Sequence, residues 1–104
     1  MKIQTDDIIY AEVFNRKIII HKRESDLEYY GKMSELENAL SDAAPEEFFR
    51  PHRAYLINLG YVKKYNVSTV WLEKGTALIA KKNYSMLVKA YLRYNQKYSQ
   101  SARQ

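Results

Sequence analysis

Reactive side chains are sparse in this 104-residue chain and they do not converge. His21 and His52, its two histidines, have no partner at HExxH or comparable metal-ligand spacing. The adjacent carboxylates Asp6-Asp7 and Glu46-Glu47 would point to opposite faces of a strand. Ser25 lacks a nucleophile-elbow glycine pattern, there is no Gly-rich phosphate loop, and there is no cysteine to act as nucleophile or thiolate ligand. The residues predict no enzyme, no metal site and no cofactor. What does cluster is basic. The stretch "FFRPHRAYLINLGYVKKY" (48–65) interleaves Arg50, His52, Arg53, Lys63 and Lys64 with aromatic and aliphatic residues. A buried strand would exclude the charges and a solvated loop the aromatics. One side of the segment is therefore expected to be fastened to a core, through Phe49, Leu56 and Ile57, while the other faces a partner.

The charge distribution says what kind of partner. Residues 1–47 hold six Lys/Arg against eleven Asp/Glu, whereas residues 48–104 hold eleven Lys/Arg against Glu73 alone. A half so positive favours a polyanion. The length bounds the chain to one domain with a single modest core. No apolar run is long enough to span a membrane and the N-terminus lacks the layout of a signal peptide. With the lack of cysteine, this fits a cytoplasmic protein.

The elements that must carry these side chains are mostly short strands. "DIIYAEVF" (7–14) and "RKIIIHKR" (16–23) read as a hairpin across Asn15-Arg16, followed by a strand at 27–31. Ser34 and Glu37 stand at capping-box spacing before a helix whose stripe is Met33, Leu36 and Leu40, ended by Ala43, Ala44 and Pro45. Strands are predicted again at 47–51, 61–66, 69–75 and 76–82, with Lys74-Gly75 as a hairpin turn. From Asn83 as N-cap, Tyr84, Leu87, Val88, Tyr91 and Leu92 give the apolar face of a closing helix. The domain is placed at 1–98, with 99–104 a polar tail expected to fray.

On these segments the chain resembles LytTR DNA-binding domains. The aromatic-Arg-x-His-Arg run followed by apolar-Asn-Leu in "FFRPHRAYLINLGYVKKY" is similar to that family's signature. "DIIYAEV", "YYGKMSELENAL" and "VWLEKGTALIAKKNYSMLVKAYL" resemble its opening strand, its aromatic strand with a Leu-rich helix, and its last hairpin with the closing helix. The resemblance implies a mostly-β fold of small stacked antiparallel sheets with two flanking helices. It implies a bacterial transcriptional regulator, often the output domain of a two-component response regulator. Such domains bind duplex DNA through inter-strand loops in successive major grooves, commonly as two copies on promoter repeats.

Carried over residue by residue, the first loop offers Asn15, Arg16 and Lys17, with Arg16 as the base-contacting choice. Arg53 stands at the second base-contacting position with His52 beside it. Lys82 takes the third, flanked by Lys81 and Asn83. A serine often precedes that basic residue in the family; Ala80-Lys81 fill the place here, which puts one phosphate contact in question. The chemistry supports such a role, because arginine forks onto guanine O6 and N7 and asparagine pairs with adenine. Lys63, Lys64, Lys81, Lys82 and Lys89 would meet phosphates, and the Tyr55 and Tyr61 hydroxyls would donate to them.

Blander roles stand beside these. Arg53 could pair internally with Glu12 or Glu28, His52 could orient its loop, and Asn58 could bond backbone in a turn. Phe48, Phe49, Trp71 and most of the ten tyrosines read as core or half-core. Two other functions also remain open: a single-strand nucleic-acid binder, or a module docking an acidic protein partner through the basic half.

Overall fold

In the computed structural model, residues 5–102 are described, with side chains described as far as residue 97. β1 (Ile8–Phe14) and β2 (Lys17–Lys22) form the expected hairpin, closed by the Phe14–Lys17 pair. Asn15 and Arg16 both have positive φ, 52° and 65°, the sign pattern of a two-residue type I′ turn, whose twist matches that of the flanking strands. β3 (Asp26–Tyr30) pairs with β2. Helix α1 (Met33–Ala43) follows, then β4 (Phe48–His52) and β5 (Tyr55–Asn58). β6 (Val62–Tyr65), β7 (Thr69–Leu72), β8 (Thr76–Leu78) and helix α2 (Tyr84–Ala102) complete the chain.

All pairings are antiparallel, in a five-stranded sheet ordered β3-β2-β1-β5-β4 and a three-stranded sheet ordered β6-β7-β8. In place of the single core expected from the length, the two faces of the larger sheet serve two. On one, Ile8, Ala11, Ile18, Ile20 and Leu56 pack under Met33, Leu36 and Leu40 of α1. On the other, Ile9, Tyr10 and Ile57 pack with Val70, Leu72 and Ala77 of the smaller sheet and Leu87 of α2. The expected mostly-β architecture of stacked antiparallel sheets with two helices is what the chain forms.

Four local expectations differ. A strand not predicted from the sequence, β5, lies between β1 and β4, with Leu56 and Ile57 buried in opposite cores. Its four apolar-polar residues are too few for a period to show beside the charged turn before them. The capping box does not form: the N-cap falls two residues earlier, at Lys32, and no side chain caps α1. Ser34 is thereby inside the helix, and Glu37 reaches Arg50 instead. Asn83 is not the cap of α2; it ends a 3₁₀ turn, Lys81–Asn83, and its side chain donates to the Pro51 carbonyl. Leu92 is 54% exposed, so it falls off the apolar face that Leu87 anchors. The backbone of α2 continues to Ala102, and the side chains of the tail expected at 99–104 lie outside the described residues.

Candidate nucleic-acid interface

The two-residue turn Arg53-Ala54 joins β4 to β5 and is held from three directions. The Ala54 amide donates to His52 Nδ1 at 3.1 Å, and Val13 on β1 donates to the Ala54 carbonyl at 2.9 Å. Arg50 Nη2 donates to the Arg53 carbonyl at 2.8 Å. His52 is thus a loop orienter, set edge-on to Tyr55 with ring centroids 5.7 Å apart. The Arg53 side chain itself is exposed. The acids proposed for it are engaged elsewhere, Glu12 with His21 and Glu28 near Lys17. Asn58, 4% exposed, bonds backbone at both ends, donating to the Ile8 carbonyl and accepting from the Gly60 amide.

The loop between β8 and α2 is pinned to the same strand. The Pro51 carbonyl accepts from the Ala80 amide at 2.8 Å and from Asn83 Nδ2 at 3.1 Å. A carbonyl answered twice fixes the 3₁₀ turn that carries exposed Lys81 and Lys82 beside the β4–β5 turn.

Arg53 is consequently shared by two open concavities. One, of ≈ 330 Å³, is lined by Arg50, His52, Arg53, Lys82 and Asn83. The other, of ≈ 520 Å³, is lined by Arg16 at the tip of the first hairpin, Lys32, Arg50 and Arg53. The three side chains assigned to base contact, Arg16, Arg53 and Lys82, come from separate loops and lie along one basic strip with Arg53 at its middle.

Other assigned residues stand apart. The Tyr61 hydroxyl donates to the Asp6 carbonyl, so its donor is already used. Lys63 lies 3.7 Å from Glu73, and Lys64 sits 4.8 Å over the Trp71 ring on the smaller sheet. Lys89 lines a third cleft, with Phe49, Met86 and Arg93. Lys17 is near the strip but stands over Tyr30 and 3.8 Å from Glu28. Tyr55 is half-buried, and its ring packs against the core shared by the sheets.

Arg50 was not singled out in the sequence, yet it lines both concavities and links the Arg53 carbonyl to Glu37 on α1 at 3.3 Å. The signal was its place in "FFRPH", where one more arginine among apolar neighbours looks like another phosphate contact. A second unanticipated group stitches the sheets together. His21 stacks on Tyr10 at 4.3 Å and faces Glu12 and Asp26 with its two ring nitrogens. Lys74, in the β7–β8 turn, reaches Asp26 at 2.9 Å and the Lys22 carbonyl at 3.1 Å. The Lys74 hydrogen bond holds the Asp26 carboxyl below its ordinary value. Burial, aided by the charge of Glu12, pushes the Tyr10 hydroxyl up to about 12.

A fold of two stacked antiparallel sheets, with basic inter-strand loops gathered on one strip, defines the class: a small mostly-β nucleic-acid-binding domain. The family model of the LytTr DNA-binding domain matches residues 1–93, and the chain belongs to that family. DNA is therefore its partner. A solved structure described as the LytTr DNA-binding domain of a putative methyl-accepting/DNA response regulator from Bacillus cereus is similar at a TM-score of 0.70 and 17% identity. That match covers 88% of this chain and 86% of the other, which at such identity shows the shared fold. No curated protein matches. Among the described residues no helix is long and apolar enough to cross a membrane.

Proposed function

We propose that this domain binds specific sequences in duplex DNA through three loops. Arg16 from the β1–β2 turn, Arg53 from the β4–β5 turn and Lys82 from the β8–α2 loop reach base edges in successive grooves. Asn15, Lys17, Lys81 and Asn83 support them from the same loops, and Lys63, Lys64 and Lys89 meet phosphate from flanking surfaces. The observation that carries this reading is the position of Arg53. It is exposed and, among the described residues, has no carboxylate partner; it stands on a turn fastened by three hydrogen bonds, between concavities that it shares with Arg16 and with Lys82. A fixed loop aiming a free guanidinium outward suits guanine recognition, because a bidentate pair discriminates only when its approach is set in advance.

The role that follows is transcriptional regulation from promoter repeats, with a second copy of the domain on the adjoining repeat. The printed description of the Bacillus cereus domain as part of a response regulator supports a place as the output domain of a bacterial two-component regulator, acting in the cytoplasm. The test is Arg53→Ala measured on a duplex selected from a random pool and on random duplex. Loss confined largely to the selected site supports base reading. Equal loss on both makes Arg53 a phosphate contact and removes it from the reading set.

A further inference from the structure

The hairpin that carries Arg16 also carries aromatic side chains that base reading by arginine does not use. Phe14 closes β1 opposite Lys17, and Lys17 is opposite Tyr30 on β3. Residues paired in this way share a face of the sheet, so Phe14, Lys17 and Tyr30 form one row at its tip. Two rows further in on the same face stand Tyr10, His21 and Asp26. There the β7–β8 turn covers the sheet: Lys74 bonds Asp26, and a side chain at Gly75 would collide with the Tyr10 ring. The cover stops short of the tip. Tyr10 is 7% exposed, Phe14 62% and Tyr30 76%, and neither of the last two belongs to a core. The Lys17 ammonium stands over the Tyr30 ring. Among the described residues no ring or cation contact covers Phe14.

A single exposed apolar residue asks for no partner. This one ends the strand that leads into the turn of Asn15 and Arg16, so whatever Arg16 enters meets Phe14 as well. We propose that Phe14 is a base-reading residue, packing its ring on the C5-methyl of a thymine in the major groove that the first hairpin enters. This role rests on the DNA-binding reading above and names part of the sequence that is read. The major groove admits a two-stranded ribbon, and the thymine methyl is the apolar group that base edges present there. A phosphate gains nothing from a phenyl ring, and Arg16 and Lys17 supply the charge that holds the tip at the groove. The first hairpin then reads by two chemistries, hydrogen bonds from Arg16 and apolar contact from Phe14.

Replacing thymine with deoxyuridine removes that methyl, keeps the base pair and leaves the protein untouched. Each thymine of a duplex selected from a random pool is replaced in turn, and the parent and Phe14→Ala are bound to this series and to random duplex. For the parent, one replacement should weaken binding about fourfold, the worth of one buried methyl-sized group. Phe14→Ala should lose a similar factor on the thymine duplex and nothing further on that deoxyuridine duplex. It should keep the parent's affinity for random duplex, its salt slope and, because the ring is mostly in water, its melting temperature. If the parent prefers the selected duplex yet tolerates every deoxyuridine, Phe14 reads no methyl and the DNA reading stands; that result needs no variant to fold. Equal deoxyuridine losses in parent and variant also overturn the role, since another residue then senses the methyl. Loss by Phe14→Ala confined to duplexes that hold two copies overturns it too, marking a contact between copies. If the parent binds no duplex at low salt, the DNA reading itself fails and the role of Phe14 with it.

Discussion

Arg50 Nη2 donates to the backbone carbonyl of Arg53 across 2.8 Å, so one arginine of the motif holds the turn on which another is displayed. The same guanidinium is tethered to Glu37 of α1 at 3.3 Å. The helix, the edge strand β4 and the exposed turn are thereby one mechanical unit.

Replacing Arg50 with lysine keeps the charge and loses the planar fork that reaches both partners. A hydrogen bond to a charged group contributes about 1.5–3 kcal/mol. The ratio of selected to random duplex affinity should fall about tenfold, with the salt slope nearly unchanged. A ratio equal to that of the parent would show that Arg53 is positioned without Arg50.

The packing of α2 is tested by two leucines on one helix. Leu87 is 0% exposed and Leu92 54% exposed. Leu87→Ala should cost about 2–5 kcal/mol of unfolding free energy. Leu92→Ala should stay within about 0.5 kcal/mol of the parent. Denaturant titration of both variants measures the contrast, and similar losses would mean that the helix face is misassigned.

How far the sequence discloses this fold depends on how local each cause is. The first hairpin, both helices and the two-sheet architecture follow from short-range patterns and from the family resemblance. β5 does not, because a four-residue strand in the middle of a sheet is defined by its neighbours β1 and β4 rather than by its own period. The capping box fails for a related reason. Glu37 has a tertiary partner in Arg50, thirteen residues on in the chain, and Lys32 rather than Ser34 is the N-cap. In the candidate interface, Arg53 and Lys82 are visible from motif and charge, but their adjacency comes from the Pro51 carbonyl, which spacing cannot reveal. Tyr61 and Lys64 look the same in sequence as residues of the strip, and only the fold sends them elsewhere.

The stitch between the sheets has a pH signature. The Asp26 carboxyl is held below its ordinary value, first by the hydrogen bond from Lys74. A carboxyl with a depressed folded-state value stabilises the fold above its unfolded value, and that stabilisation is lost as pH falls through the folded one. The melting temperature should therefore drop on acidification below about pH 4, and Asp26→Asn should remove part of that drop. The effect will be small, because the pair is well exposed. An identical acid profile in the two proteins would show that Lys74 and Asp26 do not pair in solution.

Arg16 allows stability and recognition to be separated in a single substitution. Its φ of 65° is one that glycine adopts freely and that a longer side chain adopts at a cost, and Asn-Gly is the preferred pair for such a turn. An arginine there means that the side chain is retained against the backbone's preference, which points to a use at the hairpin tip. Arg16→Gly should leave the domain as stable as the parent, or more stable by up to about 1 kcal/mol. Affinity for the selected duplex should nevertheless fall by about 1–3 kcal/mol, with the lost discrimination confined to base pairs about one helical turn from those that Arg53→Ala affects. Melting curves and competition binding on singly substituted duplexes give both readouts. A stabilised variant that still discriminates every base pair would remove Arg16 from the reading set and leave the first hairpin as a spacer.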